Sequence, residues 1–380
     1  MESSGAMDVE EQPSPNVKRF GLKNSIQTNF RDHYVFQIVP KDDWSAMAVS
    51  LSTNVVKLYS PVAGQYYGEC KGHTATINQI SFSGPSNPHI LCSCSSDGTI
   101  RAWDTRTFQQ VSSINAGSSL EVFSFCLGGT SGNLVAAGCD SQVLFWDWRN
   151  TKRIACLMDS HMGDVTQVHF VPNEQGKLIS AAEDGLICTF DTTGDINDDD
   201  HLESVMNMGT SIAKVGICGE SYQKLWCLTQ IETLGIWNWK DGRNEGNFSD
   251  ARTLASESWN LDHVDYFIDC HYSREAEKLW VIGGTNAGTM GYFPVNYKGV
   301  ATIGAAESIL EGGHTGVVRS VLPMSTNSPS QGIFGWTGGE DGRLCCWLSD
   351  DSSVSNQSWI SSTLIMKPER TGKKKRHHPY

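Results

Sequence analysis

The sequence predicts an all-β fold in which seven copies of one small antiparallel sheet are arranged around a common axis. One phrase recurs along the chain, consisting of a turn, an alternating apolar segment and an aromatic residue. The aromatic residues are 43 to 56 residues apart, at Tyr59, Trp103, Trp146, Phe190, Trp237, Phe293 and Trp347. A lone sheet of this kind leaves both faces open, whereas seven stacked around an axis bury them and leave only short edges.

The strands are readable in the second unit, whose segments run INQISFSG, HILCSCSSD, GTIRAWDT and QVSSINA, with Gly, Asp and Asn at the turns. The alternation places Ile80 and Phe82 on one face of the first strand. Ser93 and Ser95 share a face of the second strand. Each unit is therefore expected to be one sheet of four antiparallel strands.

Composition excludes several classes of protein. The chain has 380 residues, is 39 % hydrophobic and contains 12 Trp, so we expect a packed core rather than disorder. The net charge of −13 argues against a body that wraps nucleic acid, and no apolar run approaches the length of a membrane span. The first residues lack the basic start and apolar stretch of a signal peptide. The 12 Cys stand in apolar stretches with no C-x-x-C, which predicts reduced, buried thiols in a cytosolic or nuclear protein.

A ring of sheets must close, and two segments could supply the closing strand. The first unit is expected to begin with a strand over 33–40, which leaves 18–26 before it and 359–366 after the last unit. We favour 18–26, because pairing the two chain ends locks the ring. The predicted organisation is a disordered acidic N-terminus over 1–17, the ring over 18–366 and a disordered basic tail over 367–380.

Two gaps between successive repeated aromatic residues, from Phe190 to Trp237 and from Trp237 to Phe293, exceed the usual spacing. Residues 241–265 are predicted to form a long loop with a short helix. Residues 194–204 contain several carboxylates, but the Gly and Glu of a calcium-binding EF-hand loop are missing. We therefore expect a solvated acidic loop there.

Two units match the WD-repeat signature closely. The matches are Gly72-His73, Asp97 and Trp103-Asp104 in the second unit, and Gly313-His314, Asp341 and Trp347 in the last; the fourth unit, with Ser160-His161, Asp184 and Phe190-Asp191, is close. The chain thus resembles WD-repeat proteins over residues 29–366. The resemblance implies a seven-bladed WD-repeat β-propeller with four antiparallel strands per blade.

The same resemblance implies a buried hydrogen-bonded chain from Asp to His to Ser or Thr to the Trp indole. By position its members are Asp97, His73, Ser93 and Trp103 in the second blade, Asp341, His314, Thr337 and Trp347 in the seventh, and Asp184, His161 and Ser180 in the fourth. In the fourth blade the chain should stop short, because Phe190 has no N–H. Blades one, three, five and six lack the Gly-His pair and are expected to rely on apolar packing alone.

An Asp–His–Ser set looks superficially like a hydrolase triad. Here the Ser falls in the middle of a strand, without a nucleophile elbow or oxyanion donors, so we expect it to satisfy buried polar groups. No P-loop, H-E-x-x-H, G-x-S-x-G or G-x-G-x-x-G motif occurs. The sequence predicts no enzyme, no cofactor and no metal site.

Two consecutive units contain a W-D-x-R sequence, formed by Trp103, Asp104 and Arg106 and by Trp146, Asp147 and Arg149. Ile100 and Val143 supply the apolar position three residues before each Trp. The pair resembles the motif by which WD-repeat receptors dock on the adaptor of cullin-RING ubiquitin ligases. An exposed Arg offers a planar fork to a partner's carboxylate or carbonyl. The alternative is that Asp and Arg only pair with each other on the rim.

The C-terminal residues 367–380 carry six basic residues and one acidic residue, a net +5, which leaves −18 for the rest of the chain. The tetrad Lys373, Lys374, Lys375 and Arg376 is typical of a nuclear import signal. The alternatives are a solubilising tail or a tail that contacts RNA by charge alone. Any nucleic-acid contact is expected to be weak and confined to this tail.

Over the whole chain the sequence resembles the WD repeat-containing protein 89 family. The resemblance lies in SHMGDVTQVHFVPN, SAAEDGLICTFD, VIGGTNAGTMGYF and GGHTGVVRSV, with the paired W-D-x-R and the basic end. It implies an intracellular, non-enzymatic scaffold that binds other proteins through its propeller faces, without a membrane. We expect it in the nucleus and cytoplasm, with a nucleolar role in ribosome biogenesis. The alternative is a substrate receptor of a cullin-RING ligase.

Overall fold

This computed structural model describes residues 17–28, 33–117, 119–196, 201–259, 263–324 and 333–348. Their strands form five four-stranded antiparallel sheets and one nine-stranded sheet, which consists of two four-stranded antiparallel groups joined by a parallel pairing, with one short extra strand. We call the five sheets and the two groups blades and number them from the strand Val35–Pro40 (β2) onward, so that the N-terminal strand Lys18–Gln27 (β1) belongs to blade seven. Within each blade the strands follow one another from the inside of the ring to the outside.

The strands of blades one to four are β2 Val35–Pro40, β3 Met47–Leu51, β4 Val55–Tyr59, β5 Tyr66–Lys71, β6 Ile77–Phe82, β7 Ile90–Ser95, β8 Thr99–Asp104, β9 Gln109–Asn115, β10 Ser124–Gly128, β11 Leu134–Cys139, β12 Gln142–Asp147, β13 Lys152–Leu157, β14 Gln167–Val171, β15 Glu174–Ala181, β16 Leu186–Asp191 and β17 Leu202–Asn207. Blades five to seven comprise β18 Ile212–Cys218, β19 Lys224–Thr229, β20 Leu234–Asn238, β21 Arg243–Phe248, β22 Tyr266–Ser273, β23 Lys278–Gly284, β24 Met290–Asn296, β25 Thr302–Ile303, β26 Ser308–Leu310, β27 Val318–Pro323, β28 Ile333–Gly339, β29 Arg343–Leu348 and β1 Lys18–Gln27. The helix α1 spans Ala251–Glu257.

The innermost strands contact one another in a closed circle. Each first strand packs beside the first strand of the next blade, and β2 contacts both β6 and β27. The predicted β-propeller is confirmed.

The N-terminal strand β1 closes the ring twice. Its residues Gly21–Gln27 pair antiparallel with β29, which makes β1 the outer strand of blade seven. Its first three residues also pair in parallel with β26 of blade six. The segment that we favoured thus supplies a closing strand, while the competing segment 359–366 and the terminal stretches 1–16 and 349–380 lie outside the described residues.

Six of the seven repeated aromatic residues are at most 2 % exposed, and Trp237 is half-buried. Each buried ring packs against the preceding blade. Trp103 lies in a cluster with Val56 and Leu58 of blade one, and Trp347 lies with Ile282 of blade six. The repeat therefore marks the apolar seams between blades, which explains why its period is the period of the fold.

A second repeated feature surrounds the central channel. One polar position recurs in the first half of each innermost strand, at Gln37, Gln79, Ser124, Gln167, Lys214, Asp269 and Ser320. Four of these side chains accept the backbone N–H of the following blade: Ser320 from Ile38, Gln37 from Ile80, Gln79 from Phe125 and Ser124 from Val168, at 2.8 to 3.1 Å. Between blades five and six, Lys214 Nζ forms an ion pair with Asp269 Oδ2 at 3.2 Å. These bonds satisfy N–H groups on the inner sheet edge that the ladder leaves free.

Two sequence predictions need correction. Blades five and six do not rely on apolar packing alone, because threonine hydroxyls close their turns: Thr229 Oγ1 accepts the Thr233 N–H in blade five, and Thr285 Oγ1 accepts the Thr289 N–H in blade six, each at 3.2 Å. Residues 241–265 are not one long loop. The segment begins with β21, the fourth strand of blade five, and the expected short helix follows as α1.

Candidate functional site

In blade two, the predicted polar chain is continuous from the turn to the indole. His73 Nδ1–H donates to Asp97 Oδ2 at 2.8 Å, the Ser93 hydroxyl lies 2.7 Å from His73 Nε2, and Trp103 Nε1–H donates to Ser93 Oγ at 2.9 Å. Asp97 also accepts the N–H groups of Thr74 and Thr99, at 3.1 Å each. The carboxylate therefore joins the turn between β7 and β8 to the connection that enters the blade.

Blade seven repeats this arrangement with threonine in place of serine. His314 Nδ1 lies 3.1 Å from the Asp341 carboxylate, His314 Nε2 lies 2.8 Å from Thr337 Oγ1, and Trp347 Nε1–H donates to Thr337 Oγ1 at 2.8 Å. Gly313 is required next to this His, because a Cβ there would lie 2.7 Å from the Trp347 ring.

In blade four the chain stops one member earlier. His161 Nδ1 lies 3.2 Å from Asp184, and His161 Nε2 lies 2.6 Å from Ser180. The next aromatic residue is Phe190, which is buried and has no N–H to donate. Ser180 thus has one partner where Ser93 has two.

The electrostatics of blade two stabilise a charged Asp and a neutral His. Burial acts to raise the pKa of Asp97, but hydrogen bonds from Thr99 and His73 outweigh it and lower that pKa to about 2. Burial lowers the pKa of His73, and the same cause lowers the pKa of His161. Ser93 and Ser180 are both 0 % exposed, so no substrate could reach either hydroxyl without opening the blade. The geometry supports a structural role for these polar chains.

The W-D-x-R sequences lie at the end of the third strand of blades two and three. This is the opposite end of that strand from the turn that contains Asp97 in blade two. Asp104 Oδ1 accepts the backbone N–H of Arg106 at 2.9 Å, and Asp147 Oδ1 accepts that of Arg149 at 2.9 Å. Asp191 uses the same turn in blade four, where it accepts the Thr193 N–H at 2.8 Å. The aspartate therefore has a structural purpose that does not depend on arginine.

Each arginine also forms an ion pair with the aspartate of its own turn through two nitrogen atoms. Arg106 Nε and Nη2 lie 3.0 and 2.6 Å from the two Asp104 oxygens, and the corresponding Arg149 to Asp147 distances are 2.9 and 2.7 Å. The bonds from Arg149 hold the pKa of Asp147 at about 2. The side chains are nevertheless 64 % and 67 % exposed. The structure thus shows the rim ion pair, with one side of each guanidinium open to solvent.

The W-D-x-R corners share one face of neighbouring blades, because both follow the third strand of their sheet. Trp103 and Trp146 do not contribute to this surface, since each is 2 % exposed and belongs to the seam. The nuclear-import tetrad Lys373, Lys374, Lys375 and Arg376 lies outside the described residues.

The central channel is a cavity of about 620 Å³. Its ionisable groups are engaged with neighbours: Lys214 with Asp269, Arg319 with Glu340, and Glu232 with the Phe267 N–H. Sequence reasoning missed this polar lining, although one polar residue at the same place in every innermost strand was a readable signal.

All 12 cysteines are free thiols, nine of them buried. In the described ranges, no helix is both long and apolar enough to cross a membrane.

Comparison with known proteins agrees with this architecture. Residues 64–104, which contain the blade-two turn and tryptophan, match the family model "WD domain, G-beta repeat". The chain is 65 % identical to the WD repeat-containing protein GTS1 of Arabidopsis thaliana over all of both chains. It is 32 % identical to the WD repeat-containing protein 89 homolog of Dictyostelium discoideum, over 88 % of this chain and 89 % of the relative. A more distant match, 28 % identical over 41 % of this chain, is the GATOR2 complex protein Wdr59 of Drosophila melanogaster, of which 16 % is covered. The chain therefore belongs to the family of WD-repeat proteins that includes WD repeat-containing protein 89.

Proposed function

We propose that this protein is a non-enzymatic scaffold that holds protein partners in the nucleus and cytoplasm, with a nucleolar role in ribosome biogenesis. WD-repeat proteins serve as protein-interaction scaffolds. The observation that carries the proposal for this chain is that its triad-like polar side chains are buried, whereas charged side chains are exposed on the rim. The Asp–His–Ser and Asp–His–Thr sets are buried in hydrogen bonds that hold the blades, while the rim arginines remain exposed.

The nuclear part of the proposal rests on the basic tail. Lys373, Lys374, Lys375 and Arg376 are adjacent, and the rest of the chain carries −18, so the tail is the basic element that an import receptor would recognise. Replacing the four residues with Ala should shift a large fluorescent fusion from the nucleus to the cytoplasm. Because the fusion is too large to enter by diffusion, an unchanged nuclear signal would reject this tetrad as the import element.

Affinity purification of the tagged wild type from nuclear extract tests the scaffold itself. We expect stoichiometric protein partners, including ribosome-assembly factors. Recovery of the protein without partners at near-stoichiometric amounts would contradict the scaffold function.

A cullin-RING substrate receptor is the second candidate. The observation that favours it is the pair of exposed arginines on neighbouring blades, since the same turn forms in blade four with Thr193 and needs no guanidinium. Arg106→Ala with Arg149→Ala should abolish co-purification of the ligase adaptor, and either change alone should weaken it. If the wild type does not bring down the adaptor at all, the ligase function fails and the plain scaffold stands.

A further inference from the structure

The outer strands of the propeller share an irregularity that re-aims one side chain per blade. In each of blades one to five, and in blade seven, the outermost strand has one extra residue beside the repeated aromatic. Trp103 pairs with Gln110 and Ala102 with Ser112, which leaves Val111 unopposed. Such a bulge bends an edge strand and re-aims a side chain.

The type of the extra residue differs between blades one to three and blades four and five. In blades one, two and three they are Tyr67, Val111 and Ile154, which are 43 %, 55 % and 42 % exposed. In blades four and five they are Glu203 and Glu245, which pair with lysines of their own blade. Three consecutive blades thus present apolar side chains at one repeated position, while the following two use that position for internal ion pairs.

Basic residues lie close along the chain to two of these apolar residues, although the chain as a whole is acidic. The exposed arginines Arg106 and Arg149 lie at the turns that lead into β9 and β13. Lys152 and Arg153 begin β13 and immediately precede Ile154, and both are exposed. Neither of them forms an ion pair with any residue that the structure describes.

We infer that the outer rim of blades two and three is a docking surface for an acidic amphipathic helix of a partner protein. We call this surface the rim patch and define it by Val111, Ile154, Lys152 and Arg153, with the two arginines at its border. Exposed aliphatic side chains supply contact area, and unpaired cations select carboxylates. This inference rests on the scaffold function proposed above, but it does not require the ligase function.

The bulges favour a helical partner over an added β-strand. A flat edge strand invites an added strand, whereas a bulge twists the edge away and blocks regular backbone pairing. The rim patch therefore offers side chains rather than a free ladder. A helix with one apolar face flanked by carboxylates meets such a surface with side chains alone.

The test uses a synthetic helical peptide of leucine and glutamate with all leucines on one face. About 18 residues give a helix of about 27 Å. Fluorescence anisotropy with the full-length protein should show saturable binding that weakens as salt is added. The same peptide with lysine in place of glutamate should not bind.

Two variants and one matched control locate the binding. Val111→Ser with Ile154→Ser, and separately Lys152→Glu with Arg153→Glu, should each raise the Kd at least about tenfold. Val300→Ser with Lys298→Glu changes an exposed apolar and basic pair of blade six, where the lysine is already paired with Glu277, and should leave the Kd unchanged. Circular dichroism should show the same fold in all variants.

No binding by the wild type, or equal binding by all variants, would overturn the rim patch. The scaffold function is judged separately by affinity purification. If partners from nuclear extract are retained by both rim variants, the scaffold stands and the rim patch fails.

Discussion

Blades two and three are neighbours with the same W-D-x-R sequence, yet their interiors are held in different ways. In blade two, a polar chain runs from Asp97 to Trp103 through two buried side chains. Blade three has no such chain, and its second strand packs through small residues. A Cβ on Gly138 would lie 2.1 Å from the Val165 carbonyl oxygen, so the strand and the incoming connection touch through the backbone itself. The outer W-D-x-R turn therefore does not depend on the inner polar chain.

The largest effect should come from breaking the chain at its charged end. Asp97→Ala leaves the His73 ring and two turn N–H groups without their acceptor, so we expect a loss of about 3 kcal/mol in the free energy of unfolding. Asp140→Ala removes the carboxylate from the matching turn of blade three, and it should cost less than about 1 kcal/mol. Asp341→Ala should behave like Asp97→Ala. Equilibrium urea unfolding measures all three, and equal losses at Asp97 and Asp140 would refute the distinction between the blades.

A smaller difference should separate blade two from blade four. Ser93→Ala deprives both His73 and the Trp103 indole of a partner, whereas Ser180→Ala deprives His161 alone. We expect a cost of about 2 kcal/mol for the first change and about 1 kcal/mol for the second. Thermal unfolding of the two variants provides the test, and a larger cost at Ser180 would show that the indole bond contributes nothing.

Acid should weaken blade two through the same carboxylate. The folded-state pKa of Asp97, about 2, lies below the ordinary value, so its stabilising contribution is present above pH about 4 and is lost as the pH falls toward 2. The lowered pKa of His73 acts in the same direction, since the folded state resists protonation of the ring as the pH falls below about 6.5. Asp97→Asn should flatten the fall in unfolding free energy between pH 4 and 2 relative to the wild type. An identical pH profile would show that Asp97 is not the source.

The smallest effect on stability should come from the rim. Arg106→Ala with Arg149→Ala removes exposed guanidinium groups and leaves both turn-forming aspartates in place, so the midpoint of thermal unfolding should not change. A clear drop in that midpoint would mean that the arginines serve the fold rather than a partner.

Sequence reasoning reached the fold because burial and repetition leave a trace in residue type. The aromatic period located the seams between blades, and the Gly-His and Asp spacing located the polar chains. The outer-strand bulges could not be predicted, since Val111 and Ile154 look like ordinary apolar strand residues until the register shows that nothing opposes them. The parallel pairing of β1 with β26 could not be predicted either, because it joins residues nearly 300 positions apart. The arginine–aspartate contact was foreseen only as one of two alternatives.

A double-mutant cycle between His73 and Asp97 tests the central claim that the polar chain of blade two acts as one structural unit. Urea unfolding would be measured for the wild type, His73→Ala, Asp97→Ala and the double variant. We predict a coupling free energy of about 1–3 kcal/mol, because once one member is gone the loss of the other costs little more. Losses that add to within about 0.3 kcal/mol would contradict the claim.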